Sequence, residues 1–379
     1  MVSLKNKSFG KKVFAIFCNE HFEDLVQEEI QYICGLDSSS DAGLVFFEGH
    51  LDDVVKYTYL TQSAKKVLML LSKFKFEDDN DLLSKIRSLD FSMIDGSFVV
   101  RCNKRSLEKP IGSEIHRQLE NPKVDVSSPD YPIYIDICGN KALVGIELSS
   151  LDLSKRTYKI FSHPSSIKGT LGYYLMKISG YDGKGTFLDP CAGSGTICIE
   201  AGYFTTKFSP RFFDKSNLFS SKVFEEIDKE QILCKIDDAF ASKKNQANLK
   251  KIDIRAYDID LQAVNATKKN LKIGGIEKFV SVAKGDIDWL ETKFEENSVD
   301  YIVSNPPAYT KTNTKKADKF FDKFFYQTEY ILSKKGKIVL LLNSERPLDL
   351  AKKYKLTATL ERKFELGDSM RYIYSFKKV

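Results

Sequence analysis

The chain is poor in the residues that build staples and metal cages. Its 379 residues hold seven cysteines and four histidines. The cysteines (Cys18, Cys34, Cys102, Cys138, Cys191, Cys198, Cys234) are odd in number, scattered and never in Cys-x-x-Cys spacing. That argues against a disulfide framework and against a zinc site, and leaves reduced, buried thiols. His21, His50, His116 and His163 form no metal-like or triad-like pattern, so no metal is expected. No apolar run approaches the roughly eighteen residues of a membrane span, and no membrane partner is expected. Met1 to Lys12 is basic but lacks the apolar core of a signal peptide, which points to the cytoplasm. A net charge of +6 is mild; it permits an anionic partner without requiring one. With 42% hydrophobic and 29% charged residues, the chain can bury real cores and suits two or three domains.

The first half alternates strand and helix. Strand Val13–Cys18 precedes an amphipathic helix near Glu23–Ile33, where Leu25, Val26, Ile30 and Ile33 repeat at helical spacing. A Ser/Asp-rich turn (Asp37–Asp41) leads to strand Leu44–Phe47, helix Leu51–Gln62 and strand Val67–Phe74. This is a small α+β module of the ferredoxin-like type. Helix Asp78–Leu89, strand Gly96–Arg101 and a helix near Gly112–Gln118 follow. Gly139-Asn140-Lys141 then joins strands Ile133–Cys138 and Ala142–Leu148 as a hairpin. The aperiodic stretch Asp152–His163 reads as a connector.

From Pro164 the pattern becomes regular βα alternation, which calls for a parallel sheet covered on both faces. Strands are expected at Gly185–Asp189, Ile252–Tyr257, Phe279–Ala283, Val299–Ser304 and Lys337–Leu342. Helices are expected at Ile167–Ile178, Thr196–Thr205, Leu261–Ile273 and Lys319–Leu332. Residues 206–250 are an elaboration, partly helical from Lys222. A closing hairpin, Lys355–Glu365 with Met370–Phe376, places one antiparallel strand at the edge.

Three strand ends carry chemistry. The turn Asp189-Pro190-Cys191-Ala192-Gly193-Ser194-Gly195-Thr196 has Cys198 where a dinucleotide fingerprint has its third glycine, and no phosphate-loop lysine. Hydride transfer and nucleotide hydrolysis lose ground. Two glycines before a helix still let the backbone approach a ligand closely, although a tight turn without ligand is a common alternative. Asp258, in Ala256-Tyr257-Asp258-Ile259-Asp260, is placed to accept from ribose hydroxyls; helix capping by Asp258 or Asp260 competes. Gly285-Asp286-Ile287-Asp288 could bring Asp286 to an adenine amino group, with Ile287 on the ring, or be a simple turn.

Asn305-Pro306-Pro307, after the apolar Tyr301-Ile302-Val303, is the sharpest signal. Proline after proline ends a strand in a rigid, donor-poor backbone. The Asn305 side-chain oxygen and the Pro306 carbonyl then form an acceptor pair for an exocyclic amino group on guanine, adenine or cytosine. Held so, the nitrogen is aimed at a methyl donor, and a nearby aromatic would stack on an extruded base.

With these motifs the chain resembles the THUMP-domain guanine-N2 RNA methyltransferases, a class I S-adenosylmethionine-dependent family acting on tRNA or ribosomal RNA. The likeness covers nearly the whole length, including Gly43-Leu44-Val45-Phe46-Phe47-Glu48, Asp152 to Tyr158, His163-Pro164 and the elaboration from Ser209-Pro210-Arg211-Phe212 to Phe224. It implies a ferredoxin-like domain (1–74), a THUMP RNA-binding domain (75–150), a linker (151–164) and a Rossmann-like class I methyltransferase domain with a seven-stranded, mostly parallel sheet (165–379). It implies S-adenosylmethionine at Asp189, Gly193, Ser194, Gly195, Thr196, Asp258, Ile259, Asp286, Ile287 and Asn305. The target base would lie at Asn305, Pro306 and Pro307. The family's aromatic directly after Pro-Pro is Ala308 here, so Tyr309 is expected to take the stacking role. RNA, with tRNA favoured, would meet Lys104, Arg105, Lys109, Arg117, Lys155, Arg156 and Lys311, each neutralised phosphate adding affinity without choosing sequence. A monomer is expected. Guanine-N2 methylation of 23S ribosomal RNA, amino methylation of adenine or cytosine, and RNA binding without turnover are the rival readings.

Overall fold

The computed structural model describes residues 10–149, 151–242 and 249–379; residues 243–248 of the expected elaboration lie outside them. The chain divides into two compact units. One comprises residues up to Asn19, Val26–Leu153 and Asp214–Ile236; the other comprises Glu20–Leu25, Ser154–Phe213 and Asp237–Val379. No helix among the described residues is long and apolar enough to cross a membrane.

The first unit is built on one eight-stranded sheet. Its strands are β1 (Lys12–Phe17), β2 (Ser38–Asp41), β3 (Leu44–Gly49), β4 (Lys66–Lys75), β5 (Ser97–Cys102), β6 (Lys123–Val124), β7 (Tyr131–Cys138) and β8 (Lys141–Glu147), in the order β2-β3-β1-β4-β8-β7-β5-β6. The pairing of β4 with β8 makes the sheet continuous from the N-terminal strands to the hairpin β7–β8. The expected division at 74/75 falls at the end of β4. β2 was expected as a turn. Its serines are polar because it is an exposed edge strand, and the tight turn is confined to Ala42-Gly43, with Gly43 at φ +69°. The helix expected at Gly112–Gln118 begins earlier, at Glu108, because Pro110 falls in its first turn, where the missing N–H costs nothing. Asp214–Ile236 joins this unit through Ser221 and Lys222. Both reach the Asp130 carbonyl, and the Lys222 ammonium lies 3.0 Å from Asp95.

The second unit holds a seven-stranded sheet: β9 (Thr186–Asp189), β10 (Asp253–Asp258), β11 (Val280–Lys284), β12 (Val299–Ser304), β13 (Leu332–Leu342), β14 (Leu356–Leu366) and β15 (Ser369–Lys378), ordered β11-β10-β9-β12-β13-β15-β14. The first five in that order are parallel. β15 is antiparallel to both neighbours, so the antiparallel strand is not the edge, as expected, but lies one position in. Central strands read as unbroken apolar runs because both faces are covered: Phe187, Leu188, Ile302, Val303, Ile338 and Val339 are fully buried. Helix Thr314–Ile331 buries Phe321, Phe324, Phe325 and Ile331, at helical spacing, against Ile302, Ile338 and Leu340. It starts five residues before the expected helix, and a short helix, Pro347–Lys353, was not foreseen. The chain leaves β9 toward β10 and β11 on one side and β12 and β13 on the other. The order therefore reverses between β9 and β12, where a doubly wound sheet opens a crevice at its strand ends.

Candidate active site

β9 ends in Asp189, 1% exposed and beneath that crevice. One of its carboxylate oxygens accepts from the Ser304 hydroxyl at 2.6 Å, at the end of β12, and from the Cys191 N–H at 3.1 Å. Burial pushes its pKa up to about 7 in spite of these bonds. Asp189 therefore ties two neighbouring strand ends together from below and does not line the cavity above. Burial also pushes the Cys191 and Cys198 thiols up, so neither is an activated thiolate; Cys198 packs in the core, and Cys191 lies in the cavity wall.

The glycine turn needs its glycines. Gly193 and Gly195 sit at φ +57° and +84°. A Cβ on Gly193 would come 2.5 Å from the Ser165 hydroxyl, and one on Gly195 would come 2.6 Å from Thr267. The Gly193 N–H points to Asp258 Oδ2 at 2.8 Å. Ser194 and Thr196 turn their side chains inward, Ser194 meeting Ser166 Oγ at 2.5 Å. The expected cofactor residues 193–196 are thus held as a tight, buried turn and are not among the residues that line the cavity at these strand ends.

At β10 the two aspartates divide the work. Asp260 caps helix Leu261–Ile273 by accepting from the Gln262 N–H at 2.9 Å. Half-buried Asp258 faces the cavity, with one oxygen on Gly193 and the other accepting from the Asp260 N–H at 2.9 Å. A carboxylate has about four acceptor positions, so two remain. Asp286 caps the turn Ile287–Thr292 through the Asp288 N–H at 3.1 Å.

These ends enclose a cavity of about 660 Å³ whose walls include Asp258, Ile259, Asp286, Ile287, Asn305 and Pro307. Six residues singled out from sequence are thereby brought together. Ile259 is 59% exposed, an apolar side chain left open toward that space. Its size suits a nucleoside-type ligand.

Asn305 follows β12. Its Nδ2 donates to the Ser165 carbonyl at 2.9 Å. That bond fixes the amide, so Oδ1 is the atom left to accept. Pro306 is buried and Pro307 exposed. Tyr309 does not stack in the cavity. Its ring lies parallel to Phe321, centroids 5.5 Å apart, its hydroxyl donates to Asp318 at 2.9 Å, and Asn343 clamps its backbone N–H and carbonyl at 2.9 and 2.8 Å. Two residues after Pro307 the chain has turned toward helix Thr314–Ile331, and the core takes the ring. The aromatic in the cavity wall is Phe320. With Asn313, Lys316 and Ala317 it forms an i, i+3, i+4, i+7 face at the start of that helix. The spacing was visible in the sequence; what hid it was a helix start placed at Lys319.

Among the candidate RNA contacts, Lys104, Arg105, Lys109, Lys155 and Lys311 are exposed. Arg117 is exposed but ion-paired with Glu114 at 2.6 Å. Arg156 is removed from the set. Its side chain is fully buried, bonded to both Glu200 oxygens at 2.8 and 3.0 Å, with the Tyr158 hydroxyl adding 2.8 Å to the same carboxylate. A guanidinium so occupied pins the connector to helix Thr196–Thr206 and cannot meet a phosphate.

Residues 156–370 match the model of the RMKL-like methyltransferase domain, and residues 80–147 that of the THUMP domain. The ribosomal RNA large subunit methyltransferase K/L of Aliivibrio salmonicida is 26% identical over 332 residues, covering 81% of this chain and 45% of that protein. The chain thus spans about half the length of that relative. The tRNA (guanine(6)-N2)-methyltransferase of Methanocaldococcus jannaschii is 24% identical over 324 residues, covering 80% of this chain and 83% of that one. The crystal structure of SMU.472 complexed with SAH shares the fold with a TM-score of 0.78 at 20% identity, over 98% of this chain and 99% of that one.

Proposed function

Because the chain belongs to the RMKL-like methyltransferase domain family, we propose that it transfers a methyl group from S-adenosylmethionine to the exocyclic N2 of a guanosine in structured RNA, a tRNA. The observation that carries this reading is Asn305. Its amide nitrogen is committed to Ser165, which leaves Oδ1 as the acceptor in the wall of a cavity that also holds Asp258 and Asp286. The THUMP match and the two RNA-modifying relatives support RNA as the substrate class. The tRNA (guanine(6)-N2)-methyltransferase, similar over 324 residues, supports tRNA as the substrate to test first.

The residues present fit the cofactor. Asp258 has two acceptor positions left for ribose hydroxyls, Asp286 offers a carboxylate to an amino group, and Ile259 and Ile287 supply apolar walls for a purine. When bound, S-adenosylmethionine supplies an electrophilic methyl carbon on a sulfonium sulfur. Asn305 Oδ1 and the Pro306 carbonyl would each accept a hydrogen bond from the N2 amino group, reduce the conjugation of the nitrogen with its ring and aim its lone pair. Asn305 orients; it is not a base, and the product nitrogen sheds its proton after transfer. Lys104, Arg105, Lys109 and Arg117 on the first unit, with Lys155 and Lys311 on the second, would meet phosphates.

Incubation with unmodified tRNA and isotopically labelled S-adenosylmethionine, followed by mass analysis of nucleosides, should give N2-methylguanosine. Methyladenosine or methylcytidine would replace the target, and RNA binding without methyl incorporation would overturn the enzyme. Asn305→Ala should lower kcat about 100-fold, the scale of a misplaced reacting group, with affinity for S-adenosylhomocysteine within a few-fold of wild type. Wild-type turnover in that variant would refute its role.

A further inference from the structure

An asparagine amide has two orientations that differ by a half-turn, and only one offers oxygen to an amino group. The other sets N–H against N–H. What selects the orientation is therefore part of the machinery, although it never touches the base.

Here the selector is the turn His163–Ser166. The Ser165 carbonyl can only accept, so it holds Nδ2 of Asn305 and turns Oδ1 away, at a bond length of 2.9 Å. The turn is itself fixed from the other strand end. Ser166 Oγ meets Ser194 Oγ at 2.5 Å and accepts from the His163 N–H at 2.9 Å, while His163 Nδ1 lies 2.7 Å from Ser165 Oγ. Gly193 is the seat beneath, where a Cβ would strike the Ser165 hydroxyl at 2.5 Å. The chain of contact runs from the glycine turn after β9, through Ser194 and Ser166, to the Ser165 carbonyl and the Asn305 amide after β12.

We propose that the His163–Ser166 turn is a positioning element that sets the Asn305 amide from the Gly193-Ser194 backbone, so that Ser166 and Ser194 act on methyl transfer through Asn305. The inference rests on the reading of Asn305 as acceptor for the target amine.

The test uses Ser166→Ala and Ser194→Ala, which remove the same hydrogen bond from opposite ends, with Ser166→Thr as the variant that keeps the hydroxyl. Losing one hydrogen bond in the chain should lower kcat about 3- to 10-fold, with the Kd for S-adenosylhomocysteine by calorimetry within about twofold of wild type. Ser166→Thr should recover most of the turnover. In an Asn305→Ala background, Ser166→Ala should cost nothing further, because both act on one amide. Unchanged kcat in both alanine variants, a loss that tracks cofactor affinity, or full additivity with Asn305→Ala would overturn the proposal. Absence of N2-methylguanosine with the wild-type protein would instead defeat the functional reading itself.

Discussion

Asp189 allows a test that needs no substrate. In the unfolded chain its carboxyl titrates near the ordinary 3.8; in the folded protein burial raises this to about 7. Between those values the folded form holds the proton and the unfolded form does not. Stability therefore falls as pH rises through that window. The contribution is fully present below about 3.8 and gone above about 7. A rise of this size corresponds to on the order of 4 kcal/mol. Asp189→Asn removes the titration. It keeps an oxygen for Ser304 and Cys191, which both use the same carboxylate oxygen, Oδ1, so the two strand ends stay tied. Urea unfolding of both proteins from pH 4 to pH 8 isolates the residue, because every other group cancels in the difference. The asparagine protein should gain on wild type steadily as pH rises, by as much as about 4 kcal/mol across the range, and level off above pH 7. A difference that stays constant with pH would show that the carboxyl titrates normally, and the account of its burial would fail.

Two further outcomes follow from buried contacts. Arg156→Met leaves the Glu200 carboxylate buried without its guanidinium; the loss should be about 3–5 kcal/mol in chemical denaturation, and converting Glu200 to Leu in the same protein should restore part of it. A loss under 1 kcal/mol for the single change would mean that the pair is more hydrated than its burial implies. Asn343→Ala removes both hydrogen bonds to the Tyr309 backbone. At roughly 1 kcal/mol each, turnover should fall about thirtyfold with cofactor affinity retained, and an unaffected kcat would show that the loop after Pro307 holds its shape without the clamp.

The parts of the site that the sequence made legible are those set by backbone rules. A glycine pair before a helix, acids at successive strand ends and a Pro-Pro stop each have a local physical cause, and Asp258, Asp286 and Asn305 came together as the alternation of strand and helix requires. What stayed hidden depends on where a side chain turns. Arg156 and Lys155 are neighbours in a basic stretch, yet one is buried on Glu200 and the other exposed. Glu200, the deciding residue, lies 44 positions away. Tyr309 was expected to stack on a base because it follows Pro-Pro closely; Asn343 and Phe321, remote in sequence, draw it into the core. Phe320 was obscured by an error in one helix start, and β2 by serines that suit an edge strand as well as a loop.

The pairing of β4 with β8 bears on how the molecule can be taken apart. β4 hydrogen-bonds to β1 on one side and β8 on the other, so it is a shared rib and not a seam. Cutting the polypeptide after it would strip β8 of its partner and leave two raw ladders open to any passing strand. The segment that matches the THUMP model begins beyond this rib, at residue 80. Expressed alone it would lack a neighbour for β8, whereas a piece ending after β8 would keep the lamina whole. The N-terminal strands and that segment thus fold as one sheet.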